Sequence, residues 1–231
     1  MVYIIGDSHV SIFSGIDTGL DGNIHIQPEW DYCYRIVNGE MVDLRPHNPF
    51  IKMFDNITPI KMGSNTAYNL YNKLDKIKDI INGYNITKDD IILFCYGEID
   101  IRAHIGFYAD ENNLPIRTSI EICVGRYMEV LLHFKELGFN VGVFAPSASL
   151  PNELFYNIGR NYKDSQTRNR ITFEFNKYLN DKCLEHGLIF KNIQEKLLND
   201  DYSSNKIYFK DNIHLSKEGL PFIIEELKDI I

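Results

Sequence analysis

The chain has 231 residues, 44% of them hydrophobic and 13% aromatic, and a formal net charge of −8. That length and apolar content suit one α/β domain over 1–231 with a sizeable core, and the interspersed charge excludes a disordered chain. The acidic balance, without a Lys/Arg cluster, argues against nucleic acid or an anionic membrane surface as partner.

Val2 to Ile5 is a short apolar, β-branched run that predicts a buried strand, ended by Gly6 and followed at once by Asp7, Ser8 and His9. A short helix and loop are expected to Gly22, and a small strand over Ile24 to Gln27. Trp30 to Phe54 reads as irregular, with one strand around Tyr34 to Val37. Ile57 to Met62 predicts the second sheet strand, running into Gly63-Ser-Asn-Thr66. Leu70, Leu74, Ile77 and Ile81 give Ala67 to Ile81 a helical period closed by Gly83. Asp90 to Tyr96 is the clearest strand, and Glu98 to Pro115, polar and aromatic, reads as a loop. A long amphipathic helix is expected over Ser119 to Leu137, a strand over Val141 to Ala145, and a loop over Pro151 to Lys163. Asp164 to His186 predicts a second long helix, Leu188 to Phe190 a last strand, and Ile193 to Leu198 a helical turn. Lys210 to Leu215 is read as a loop, with Ser216 capping a final helix to Ile231.

Strands alternating with helices imply a three-layer α/β/α fold on a parallel sheet covered on both faces. The N-terminal apolar run of four residues is a core strand rather than a signal peptide, and no stretch approaches the ~20 apolar residues of a membrane span. Cys33, Cys95, Cys123 and Cys183 lack metal or redox spacing and read as free thiols of a reducing compartment, so the expected location is cytoplasmic. The triplets at Asn56 and Asn85 are then chance glycosylation matches.

Three polar groups follow predicted strands: Asp7-Ser8-His9, Gly63-Ser-Asn65 and Gly97-Glu-Ile-Asp-Ile-Arg102; a fourth, Asp211-Asn-Ile-His214, precedes the last helix. In a parallel sheet all carboxyl ends share one edge, so these scattered groups can meet. Ser8 is then a candidate nucleophile and His214 its base. Asp211, three residues before His214, is placed to orient the imidazole, and the N–H groups of Ser8 and Gly63 to hold an oxyanion. The alternatives are ordinary ones: a helix N-cap for Ser8, a backbone-bonded loop histidine for His214, a solvated carboxylate for Asp211. Glu98, Asp100 and Arg102 are either substrate contacts or an ion-pair network at a strand end, and His104 stands evenly between the two.

These motifs resemble those of the SGNH/GDSL hydrolase superfamily. Gly6-Asp7-Ser8 matches its nucleophile block and Gly63 its oxyanion glycine. Gly97 to Asp100 falls where its third block lies, and Asp211-x-x-His214 matches its terminal block. The order and rough spacing fit over nearly the whole chain. The resemblance implies a flavodoxin-like α/β/α fold and hydrolysis of esters, often acetyl esters on carbohydrates, with no metal or organic cofactor. Its substrate is then a small-molecule or glycan ester. One position departs: Ile99 stands where the family's Gly-x-Asn-Asp block has its oxyanion asparagine. Asn65, Arg102 and His104 are candidates for the replacement donor. Gly-Glu-Ile-Asp-x-Arg-x-His also resembles a polysaccharide-associated subset of the family, in which Asp7, Glu98, Asp100, Arg102 and His104 become substrate-binding positions.

Three other readings compete. The same triad serves an O-acyltransferase, which differs only in the acceptor that reaches the acyl-enzyme. Gly-Asp-Ser-His also resembles the Asp-x-His opening of metallophosphoesterases, with Asp7 and His9 on metal, but Ile101 separates Asp100 from Arg102 and the Gly-Asn-His block is absent. A degenerate hydrolase fold that binds a glycan has only Ile99 in its favour.

Overall fold

Five short runs of β-branched and aromatic residues form one parallel sheet in the computed structural model. They are β1 (Val2–Gly6), β2 (Ile57–Lys61), β3 (Ile91–Cys95), β4 (Asn140–Phe144) and β5 (Ile189–Lys191). The structure describes residues 1–13, 56–149, 161–209 and 214–231, with the backbone of four further short strands between 17 and 43. The sheet order is β2-β1-β3-β4-β5 with every pair parallel, the flavodoxin-like order, and the winding reverses between β1 and β3.

Strand alternation sorts the core into two layers. Ile5, Ile92, Phe94, Val141 and Val143 face one cluster, with α1 (Leu74–Gly83), α3 (Ile116–Glu136) and α4 (Ser165–Glu185) packed over it. Val2, Ile4, Leu93, Cys95 and Phe144 face the other, covered by the 3-10 segment Ser8–Phe13 and α5 (Leu220–Leu227). This is a three-layer α/β/α sandwich. No helix among the described residues is long and apolar enough to cross a membrane.

Register fixes what leaves the sheet together. Gly6 pairs with Lys61 on one side and Cys95 on the other. Asp7, Met62 and Tyr96 therefore emerge at one level. A Cβ on Gly6 would lie 2.5 Å from both the Cys95 carbonyl oxygen and Val10 Cγ1, so only glycine lets β1 turn into Ser8 this close to β3. On the β4 side, buried amides hold the exit loop: Asn169 Oδ1 accepts from the Ser149 N–H at 2.7 Å, and Asn176 Nδ2 donates to the Pro146 carbonyl at 3.0 Å.

The structure departs from the sequence reading in three places. Residues 98–111, expected as a loop, form the helical segment α2: Glu98–Asp100, a π turn at Ile101–Ile105, and Gly106–Glu111. Ile101, Ile105 and Ala109 recur at a spacing of four and are all buried, and Glu98 pairs with Arg102 along the same face. The helix expected from Ala67 begins late, as a 3-10 turn at Leu70–Lys73 before α1. The Asp100 carboxylate takes the N–H groups of Ala67 (2.7 Å) and Tyr68 (3.1 Å), and Thr66 Oγ that of Asn69. Ser216 does not cap the last helix: its hydroxyl donates to the Ile207 carbonyl, a 3-10 turn at Lys217–Gly219 follows, and α5 starts with proline in its first turn. In the 30–54 stretch, Tyr34–Val37 forms its strand and pairs antiparallel with Glu40–Asp43, a partner the composition did not announce. Asp164 caps α4 by accepting from the Thr167 N–H.

Asp100 is 1% exposed. Replacing it with alanine orphans the buried Ala67 N–H and releases the part-buried Tyr68 N–H, so Asp100→Ala is expected to lower unfolding free energy by roughly 1–3 kcal/mol, read from urea denaturation midpoints.

Candidate active site

Ser8 is the first residue of the 3-10 segment after β1, where a backbone N–H has no intrahelical acceptor. Its side chain is half-buried at the sheet edge. His214 approaches from the far end of the chain. The turn carrying it is held by the Phe209–Leu215 bridge and by the Ser216 N–H donating to the Tyr208 carbonyl at 2.8 Å. His214 Nε2 lies 2.8 Å from Ser8 Oγ across a sequence separation of 206 residues. A hydroxyl within hydrogen-bond reach of an imidazole nitrogen is the pairing that generates a serine nucleophile. Asp211 lies outside the described residues.

Gly63 follows β2 with φ +92°, a conformation that favours glycine. The Met62 N–H donates to the Gly6 carbonyl, which ties this turn to the end of β1. The Asn65 amide donates to the Met62 and Gly63 carbonyls at 3.1 and 3.3 Å, so its side chain braces the glycine turn. Gly97, at φ +119°, performs the same change of direction after β3 in a conformation that favours glycine, with Pro146 and Phe175 packed close against it.

The third block then divides into separate roles of position. Arg102 meets Glu98 bidentately, Nε to Oε1 at 2.6 Å and Nη2 to Oε2 at 3.2 Å, both side chains buried. Its Nη1 reaches Asn161 Oδ1 at 3.5 Å. Asp100 turns its carboxylate toward the backbone of Ala67 and Tyr68, and burial pushes its pKa up to about 6 even against those donors. Ile99 is half-buried, and His104 is exposed, on the wall of a neighbouring cavity.

The sequence reading missed one pair. Asp7 Oδ1 accepts from the His9 backbone N–H at 2.9 Å and lies 2.8 Å from His9 Nδ1. An aspartate that bonds the N–H two residues on is an Asx turn, so the Asp-x-His spacing carried that signal. Burial alone lowers the His9 pKa, but the Asp7 charge and hydrogen bond outweigh it and raise the pKa to about 9. His9 is therefore an imidazolium at neutral pH. Its ring centroid lies 5.2 Å from that of His214, so a buried charge pair adjoins the candidate base.

Other nucleophiles are weak candidates. Cys95, Cys123 and Cys183 are buried free thiols whose pKa values burial pushes up, that of Cys183 to about 12. Cys33 lies outside the described residues. Asp7 and His9, the ligands of the metallophosphoesterase reading, bond to each other. Among the described residues no group of three or more His, Cys, Asp and Glu side chains is arranged to hold a metal ion.

No protein-family model matches the chain, and no curated protein matches it in sequence. Solved structures do match in three dimensions. A GDSL-like lipase from Bacteroides thetaiotaomicron superposes with a TM-score of 0.56 at 14% identity, covering 99% of this chain and 85% of that one. An acetyl xylan esterase superposes with a TM-score of 0.54 at 13% identity over 100% of both chains. A catalytic mutant of an acetylxylan esterase from Geobacillus stearothermophilus gives 0.53 at 15% identity, covering 99% and 93%. The chain shares its fold with these proteins. The parallel sheet brings Ser8, Gly63 and Gly97 to one carboxyl edge.

The His9 pair has a pH signature. A histidine whose folded pKa exceeds its unfolded value of about 6.5 contributes stability that is complete below that value and lost as pH rises through about 9. Glu98 adds to the rise and Arg102 opposes it. His9→Gln is expected to flatten the fall in urea midpoint between about pH 6.5 and 9; an unchanged slope would assign that fall to other groups.

Proposed function

We propose that this chain is a serine esterase of SGNH type that removes O-acyl groups, O-acetyl in particular, from a carbohydrate. The observation that carries the reading is the 2.8 Å contact between Ser8 Oγ and His214 Nε2 at the carboxyl edge of a flavodoxin-like sheet. The acetyl and carbohydrate terms are supported by the likeness in fold to acetylxylan esterases.

Ser8 Oγ attacks the acyl carbonyl while His214 Nε2 takes its proton. The carbonyl π electrons move onto oxygen, and the N–H groups of Ser8 and Gly63 receive the resulting oxyanion. Collapse breaks the bond to the sugar oxygen, which leaves with the proton from His214. Water then gives its proton to the same nitrogen and attacks the acyl-serine; collapse of the second oxyanion breaks the bond to Ser8 Oγ, which takes the proton back from His214 as the carboxylic acid leaves. Asp211 orients His214 through the imidazole nitrogen that does not face Ser8. With Ile99 at the asparagine position, the oxyanion has one side-chain donor fewer than the family pattern. A lost donor of that kind costs about 2.7–4 kcal/mol of barrier.

Intact mass after treatment with a fluorophosphonate tests the pair without knowledge of the substrate. One adduct on Ser8 is expected, absent in Ser8→Ala and in His214→Ala. Hydrolysis of 4-nitrophenyl acetate should fall by roughly 10³-fold or more in either variant. An unlabelled wild type, or labelling indifferent to His214→Ala, overturns the assignment. Acetate release from acetylated xylo-oligosaccharides then tests the sugar ester.

A further inference from the structure

A cavity of about 300 Å³ opens between the segment 66–69, α2 and the first half of α3. Ser8 and His214 do not line it. Its walls are nevertheless the continuations of the two segments that leave the sheet beside Ser8, one through Gly63 and the other through Gly97. Its volume is at the small end of ligand sites, about 300–1,000 Å³, and suits one ring rather than a folded chain.

Three features of the walls define what fits. The first is an unsatisfied group: Ser119 is 3% exposed and its hydroxyl has no hydrogen-bond partner among the described residues. Buried hydroxyls are ordinarily bonded, so this one stands ready for a ligand donor or acceptor. The second is aromatic surface. Tyr68 and Tyr108 line the cavity while 43% and 45% exposed, with Phe107 half-buried, and the Arg126 guanidinium lies 5.9 Å from the Tyr68 ring centroid, so aromatic surface borders the cavity. The third is charge. Glu111 and His104 are in the lining, the Asp100 carboxylate beside them is engaged by Ala67, Tyr68 and Cys123, and no lysine or arginine is among the described lining residues. Such a wall offers an anion no lysine or arginine partner. The π turn at Ile101–Ile105 supplies part of the lining, and such turns are frequent at functional sites because they re-aim side chains out of helical register.

We propose that this cavity binds a neutral pyranose ring, the sugar part of the ester substrate. Its hydroxyls bond Ser119, and its C–H face lies on tyrosine. The assignment to the substrate's sugar rests on the esterase reading; the binding of a ring does not.

The test uses methyl β-D-xylopyranoside and methyl β-D-glucopyranoside, which carry no ester and are not consumed, titrated into the full chain by NMR. Amide shifts are expected to concentrate at 104–111 and 119–123. Ile122→Trp, which fills the cavity from a residue already 38% exposed, and Tyr108→Ala should each weaken binding by about tenfold or more. The proposal falls if neither glycoside binds, if the shifts lie elsewhere, or if hexanoate or inorganic phosphate takes the cavity in their place. It also falls if both variants bind as the wild type does. Fluorophosphonate labelling is read in parallel. Sugar binding without a Ser8 adduct overturns the esterase reading and keeps the site; an adduct without sugar binding does the reverse.

Discussion

The carboxylate of Asp100 holds two parts of the site edge together. It sits in the first turn of α2 and accepts the backbone N–H groups of Ala67 and Tyr68 from the segment that follows Gly63. Burial of a charge is costly unless hydrogen bonds replace the lost water, and here two backbone donors and the Cys123 thiol do so. The consequences spread in both directions. The chain after β2 enters its helix through a 3-10 turn at Leu70–Lys73, after the two N–H groups that Asp100 receives. The turn with Gly63 is thereby fixed against the helix that carries Glu98 and Arg102.

Around the Ser8–His214 pair the charges are arranged as short-range pairs. Asp7 holds His9 two residues on, and Glu98 holds Arg102 four residues on. Each pair is largely buried, so each carboxylate keeps its cation in a low-dielectric setting where the attraction is large. Arg168 lies further in, fully buried, with donors engaged by Ser149 Oγ and by the Tyr162 and Lys163 carbonyls. Burial lowers its pKa to about 10 while the Glu98 charge opposes the fall. Rigid charges beside a hydroxyl–imidazole pair favour chemistry in which charge develops without reorganisation of the surroundings.

Under the proposed esterase reading, Ile99 stands where SGNH hydrolases carry an oxyanion asparagine. The Asn65 amide is engaged by two carbonyls of its own turn, and Arg102 Nε and Nη2 by Glu98. Either side chain would have to give up a bond made in this structure to serve as a third donor. The two backbone N–H groups of Ser8 and Gly63 belong to the turns themselves and come with the fold.

What the sequence determined by itself follows from local rules. Apolar period placed the five sheet strands, since a parallel strand covered on both faces must be a short continuous apolar run. The order of Gly-Asp-Ser, the lone Gly63 turn, Gly97-Glu-Ile-Asp and Asp-x-x-His was enough to name Ser8 and His214 as partners, because all carboxyl ends of such a sheet meet at one edge. Tertiary structure decided the rest. Residues 98–111 look like a loop because their polar and aromatic composition hides the buried stripe of Ile101, Ile105 and Ala109, which becomes a stripe only when α3 and α4 cover it. Asp100 reads as a site residue until its partners, more than thirty positions earlier, are in place. Ser8 and His214 are 206 positions apart, and only the sheet register and the Phe209–Leu215 bridge bring them to 2.8 Å. Composition and period record what each segment buries; which segments meet is fixed by packing among parts of the chain that no local pattern links.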